Sequence, residues 1–142
     1  MDFFILFGGD SNLPVLVIGE GAFAGNHLTC LTIPDGVIII GELAFAKNYL
    51  TSLTIPGSVT RIEELVFVHN QLTSVAIPNS VTYIGEMAFM ENQLASVTIC
   101  NNVTRIGSGA FLNNRLTNII IPYRAVYIGE VAFDHWVTIT RE

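Results

Sequence analysis

The sequence predicts a mostly-β solenoid of five to six 22-residue coils, with two parallel β-ladders joined by short helical or 3₁₀ turns. Three observations predict it. The pair Ala-Phe returns at a step of 22 residues, an Ile-Pro pair returns at the same step, and 51% of the chain is hydrophobic while only 13% is charged. So much apolar residue with so little charge requires a fold that buries side chains on most of its faces. No run approaches the roughly 18 unbroken apolar residues of a membrane-spanning helix, so membrane insertion is not expected.

The repeat fixes the elements in order. Residues 1–13 precede it and read as an N-terminal cap segment; the solenoid itself is expected over 14–142. Ala22-Phe23, Ala44-Phe45, Val66-Phe67, Ala88-Phe89, Ala110-Phe111 and Ala132-Phe133 occupy one position of successive units. Ile18, Ile40, Ile62, Ile84, Ile106 and Ile128 occupy a second, and Leu28, Leu50, Leu72, Leu94 and Leu116 a third. One coil of this size cannot bury its own apolar side chains, but stacked coils place Phe on Phe and Ile on Ile, each supplying the next with its core. The phenylalanines, burying roughly 150–250 Å² apiece, are expected to form the spine.

A further column is polar: Asn26, Asn48, Asn70, Asn92 and Asn114. Asn carries a donor and an acceptor on one short side chain, so in a buried turn it can pair with backbone of its own and the neighbouring coil. The column is expected to be structural. In the sixth unit Trp136 stands where the spacing calls for the next Asn, and the chain ends soon after.

Within a unit, Leu50-Thr51-Ser52-Leu53-Thr54-Ile55 ends at Pro56 and is rich in β-branched residues, which predicts a strand. Val59-Thr60-Arg61-Ile62 predicts a second, shorter one. Between ladders lie segments such as Glu42-Leu43-Ala44-Phe45-Ala46-Lys47, whose helix formers predict a tight helical or 3₁₀ turn.

These residues carry a family resemblance. Ile62-Glu63-Glu64-Leu65-Val66-Phe67-Val68-His69-Asn70-Gln71-Leu72 resembles the leucine-rich-repeat hallmark. The fuller pattern, Leu-Thr-Ser-Leu-Thr-Ile-Pro followed by Ser-Val-Thr-x-Ile-Gly-Glu-x-Ala-Phe, is similar to the BspA-like, or treponemal, class of bacterial leucine-rich repeats. The resemblance implies a curved solenoid used in protein–protein contacts, often at bacterial or protist cell surfaces. The unit here is a residue shorter than is usual in that class. The hallmark would put a strand on Leu65-Val66-Phe67, whereas propensity puts strands on the Thr-Ile segments; Glu-Glu-Leu is a poor strand opening, and propensity is preferred.

Charge and motifs exclude several functions. The net charge is −6 and the six basic residues are scattered, without the clustered basic face that nucleic-acid binding uses. Glu20, Glu42, Glu64, Glu86 and Glu130 share one position, with Ser108 breaking the row, but one carboxylate per coil is poor provision for calcium. His69 and His135 lie three units apart and His27 falls at another phase, so the histidines form no continuous column, and Cys30 and Cys100 lie several units apart, too far for a disulfide. With neither a phosphate loop nor a nucleophile motif, no catalytic site, metal or cofactor is expected. The apolar start Met1-Asp2-Phe3-Phe4-Ile5-Leu6-Phe7 has no basic lead and no cleavage-like tail. The expectation is a cytoplasmic protein, or a cell-surface or secreted one if the sequence is a trimmed piece.

What remains is surface. Outward positions of the Thr-Ile strand are small and mildly polar. Those of the second strand differ: Leu16, Val17, Ile38 and Ile39 make an aliphatic stripe, followed along the same column by Arg61, Tyr83, Arg105 and Tyr127. Exposed aliphatic patches mark contact sites, and Arg and Tyr are enriched at interface hot spots. Either the N-terminal Phe3-Phe4-Ile5-Leu6-Phe7 folds over the stripe as a cap, or a partner covers it. The expectation is a protein-binding module that self-associates; the alternative is an adhesive surface domain binding a host protein or glycan.

Overall fold

The computed structural model describes residues 5–7 and 15–142, and it contains strands and turns with no helix. Sheet 1 collects β1 (Ile5–Phe7), β2 (Val15–Ile18), β3 (Val37–Ile40), β4 (Arg61–Ile62), β6 (Tyr83–Ile84), β8 (Arg105–Ile106) and β10 (Tyr127–Ile128). All neighbours pair in parallel except β1, which runs antiparallel along β2. Parallel pairing follows from the repeat, since each strand is the previous one displaced by a whole coil. β1 belongs to the segment read as a cap; the rest of that segment lies outside the described residues.

Sheet 2 forms from the Thr-Ile segments. β5 (Ser74–Ile77) pairs with β7 (Ser96–Ile99), and β9 (Asn118–Ile121) with β11 (Thr138–Arg141), all in parallel. The strand expected at Leu50–Ile55 narrows to one bridge, Thr32 to Thr54. Sheet 2 is therefore joined in pairs of coils. No strand pairing links Thr54 with Ala76 or Thr98 with Ile120 among the described residues. Taking the coils in order from Phe23 to Phe133, these breaks fall between the second and third and between the fourth and fifth.

The third side of each coil departs from the expected helical turn. Ala44 N–H donates to the Gly41 carbonyl and Ala46 N–H to Leu43, closing two successive turns (3.2 and 3.0 Å). The intervening amides leave the coil: Leu43, Phe45 and Lys47 donate to Glu64, Val66 and Val68 of the next one (3.2, 3.0 and 2.9 Å). A helix would spend those amides internally, whereas here they make a third ladder. The geometry requires left-handed backbone at two turn positions in each of the first five coils, as at Leu65 (φ 59°) and His69 (φ 54°), and at Val131 (φ 45°) in the sixth. Such values are uncommon for residues other than glycine. Local helix propensity loses to inter-coil bonding because a coil this short offers no second helical turn.

Inside, the Phe column is as expected. Phe23, Phe45, Phe67, Phe89, Phe111 and Phe133 stack with centroids 5.3–5.7 Å apart. Phe45 to Phe111 are buried, while Phe23 at the first coil is half-buried. Asn48, Asn70, Asn92 and Asn114 are also buried. Each accepts, through Oδ1, the N–H of the Leu 20 residues earlier (2.9–3.1 Å). Through Nδ2 each donates to the carbonyls of the Phe in its own and the preceding coil (2.8–3.2 Å). Asn26 is the exposed end of the column: its side chain donates to the Ala24 carbonyl (3.2 Å) and its backbone N–H to Asn48 Oδ1 (3.0 Å).

The sixth coil corrects one expectation. Trp136 does not replace the ladder Asn. Thr138 pairs with Asn118, a step of two residues fewer than elsewhere, so Asp134 occupies the Asn place. Its carboxylate accepts the N–H groups of Asn113 and Asn114 (3.1 and 3.0 Å). Trp136 falls instead at the Leu place, and its indole N–H donates to the Leu116 carbonyl (3.0 Å).

Candidate interaction surface

Strand alternation places Ile40, Ile62, Ile84 and Ile106 inside, so the residues just before them face out. The outward column of sheet 1 runs Val17, Ile39, Arg61, Tyr83, Arg105, Tyr127, paired rung by rung. The structure thus places six of the eight expected surface residues in one outward column, with Ile38 exposed beside it. Leu16 is the exception. The register between β2 and β3 shifts after it, so that Leu16 pairs with Val37 rather than Ile38, and it packs half-buried against the core. A bulge that re-aims one side chain is a common device near a sheet edge. The aliphatic stripe reduces to Val17, Ile38 and Ile39, of which Ile38 and Ile39 are 37% and 43% exposed.

The four polar-aromatic residues form two like pairs. The Arg61 guanidinium lies 4.1 Å from the Tyr83 ring centroid, and that of Arg105 lies 4.1 Å from Tyr127. Their surroundings differ. Arg61 is held by Glu63, with Nε to Oε1 at 2.7 Å and a second contact at 3.4 Å. That bond raises the Arg61 pKa above its ordinary value, against the effect of burial. Burial raises the Tyr83 phenol, assisted by Glu64 and Glu63 and opposed by Arg61 and Arg105. Among the described residues Arg105 makes neither an ion pair nor a side-chain hydrogen bond.

Glu63 occupies a position that is Gly41, Gly85, Gly107 and Gly129 in other coils. There the coils approach closely: a Cβ on Gly107 would sit 2.5 Å from the Glu86 backbone nitrogen. The step that admits Glu63 is the widest of the Phe column, 5.7 Å between Phe45 and Phe67. It is also one of the steps at which sheet 2 is unpaired. This glycine-to-glutamate departure is the signal that the sequence offered and that the outward columns alone did not reveal.

Other features place no chemistry here. Cys30 and Cys100 are free. His69 Nδ1 contacts Glu91 Oε2 at 2.6 Å and His27 stacks on Tyr49, both on the turn side. No group of three or more His, Cys, Asp or Glu placed to hold a metal occurs among the described residues. An open cavity of about 330 Å³ lies where sheet 2 parts between β7 and β9. No helix is long and apolar enough to cross a membrane among the described residues.

Stacked coils with three backbone ladders, a Phe spine and an Asn ladder define a leucine-rich-repeat solenoid. Residues 17–140 match six copies of the BspA-type leucine-rich-repeat region, and the chain belongs to that family. The structure is similar to the crystal structure of a leucine-rich cell surface protein from Faecalibacterium prausnitzii A2-165, with a TM-score of 0.57 and 28% identity. The match covers 87% of this chain and 44% of that one, so the chain spans less than half that protein's length. No curated protein matches. The expectation of a cytoplasmic protein finds no support in these likenesses, since the similar structure is of a cell surface protein.

Proposed function

We propose that the chain is a non-catalytic module that binds another protein through the outward face of sheet 1, and that it pairs with a second copy through Val17, Ile38 and Ile39. The observation that carries this reading is the continuous outward column, aliphatic at one end and Arg-Tyr at the other. Two well-exposed isoleucines side by side are costly to leave in water, and each buried aliphatic side chain returns about 1.5–3 kcal/mol. Membership of the repeat family supports a scaffold role. The test is light scattering on a size-exclusion column at low and high protein concentration, with Val17→Asp/Ile38→Asp beside the parent chain. A concentration-dependent dimer that the double substitution abolishes is the expected result. A dimer that survives it removes the stripe from self-association.

A second reading is adhesion at a cell surface, to a host protein or glycan. It rests on the description of the similar protein as a cell surface protein. Protease treatment of intact cells removes the chain under this reading and spares it if the protein is cytoplasmic.

A further inference from the structure

Two Arg-Tyr pairs of the same geometry sit on one face, and only one has its charge answered. Arg61 is occupied by Glu63. Among the described residues Arg105 has no counterpart, and its coil carries Gly107 where a side chain would meet the Glu86 backbone nitrogen at 2.5 Å. The close stacking of these coils leaves no room for an internal carboxylate beside Arg105.

We propose that Arg105, laid over Tyr127, anchors one carboxylate of an acidic side chain on an extended protein segment, whose aliphatic side chains reach Ile39 and Ile38 in place of a second copy. This rests on the reading that sheet 1 binds protein. The guanidinium has five N–H donors and matches a carboxylate through two parallel bonds. The Thr82 and Thr104 hydroxyls on the adjoining positions donate to the Thr60 and Thr82 carbonyls (3.4 and 3.1 Å). The rungs from Ile39 to Arg105, at roughly 4.8 Å each, span about 14 Å, which an extended chain covers in about four residues. The ligand is therefore a segment with an aliphatic and an acidic residue about four apart. The chain's negative net charge, screened beyond about 8 Å at physiological salt, does not oppose a contact this short. A sugar chain fits less well. Each tyrosine ring already carries a cation over one face, and a polysulfated chain would need several unpaired cations along this column.

The experiment follows the arginine Nε–H resonances of the ¹⁵N-labelled chain by NMR. The probes are a synthetic peptide with Leu and Glu about four residues apart, the same peptide with Gln for Glu, and a chondroitin sulfate oligosaccharide. The Glu peptide should shift Arg105 saturably and well beyond Arg61, which the segment crosses without displacing Glu63, and the Gln peptide should bind about tenfold more weakly. Arg105→Gln should lose the response. Glu63→Gly frees Arg61, so the Arg61 shift should grow to match that of Arg105, a gain that misfolding cannot imitate. Equal binding of the Glu and Gln peptides, with shifts confined to Ile38 and Ile39, overturns the carboxylate anchor and leaves the protein-binding face intact. Tighter binding of the oligosaccharide at Arg105 overturns the choice of a peptide. Failure of the Glu peptide to move Arg105 overturns the proposal outright, whatever the light-scattering result.

Discussion

The third and fifth coils are alike within and unlike without. Phe67 and Phe111 stack in the same column, and Asn70 and Asn114 serve Leu50 and Leu94 with the same bonds. On the outer face both carry an arginine over the next coil's tyrosine at one distance, 4.1 Å. Yet Glu63 pairs with Arg61, while Gly107 leaves Arg105 open. The difference teaches that stacking constrains this protein unevenly. Side chains facing a neighbouring coil must repeat, while an outward rung changes character through one residue at a column that otherwise holds glycine.

The comparison can be broken first at its inner half. Asn70→Ala and Asn114→Ala each leave a buried Leu N–H without a partner and take one of two Asn donors from the Phe carbonyls, Phe111 alone losing its single one, and each should cost about 2–4 kcal/mol in urea unfolding. The two costs should agree within about 1 kcal/mol. A clear inequality would mean that the coils differ inside as well as outside.

Next is the glycine column. Gly107→Ala forces a Cβ into the Glu86 backbone and should cost about 2–3 kcal/mol, whereas Glu63→Gly should stay within about 1 kcal/mol of the parent chain. If Gly107→Ala unfolds no more readily than the parent, the close coil approach does not explain the missing carboxylate. The smallest expected effect belongs to the outer rungs. Double-mutant cycles should give about 0.5–1 kcal/mol of coupling for Arg105 with Tyr127. The Arg61–Tyr83 value should be lower, because Glu63 already draws on the same guanidinium.

Much of this was legible in the sequence because the columns that stack are the columns that repeat. Phe, Ile, Leu and Asn positions announced the core, the ladder and both sheets, and the outward alternation followed from strand geometry. Three features were not legible, each for a physical reason. The Glu-Leu-Ala-Phe segments favour a helix locally, but their amides find carbonyls on the next coil, which no property of a single unit discloses. Leu16 stands one period before Ile38, and only the register shift at the edge of β2 turns it inward. Counting by the period put Trp136 at the Asn place; a shortened coil moved Asp134 there. Of the surface, the residues were readable and their pairing was not, since Arg61 and Arg105 look equivalent until Glu63 and Gly107 are set beside them.

The third ladder has a consequence for how such a chain changes length. Its amides all donate in one direction, each to the coil that follows, so every coil presents the same bonding pattern upward and receives the same pattern from below. A tandem duplication of one whole unit inserts a coil already fitted to both neighbours, and lengthens the outer column by a single rung of about 4.8 Å. A duplication ending partway through a unit puts the outer rungs out of step with their neighbours. Recombination between units can therefore extend or trim the face in register, moving an arginine nearer to or farther from an aliphatic stripe in fixed increments while the interior is copied unchanged.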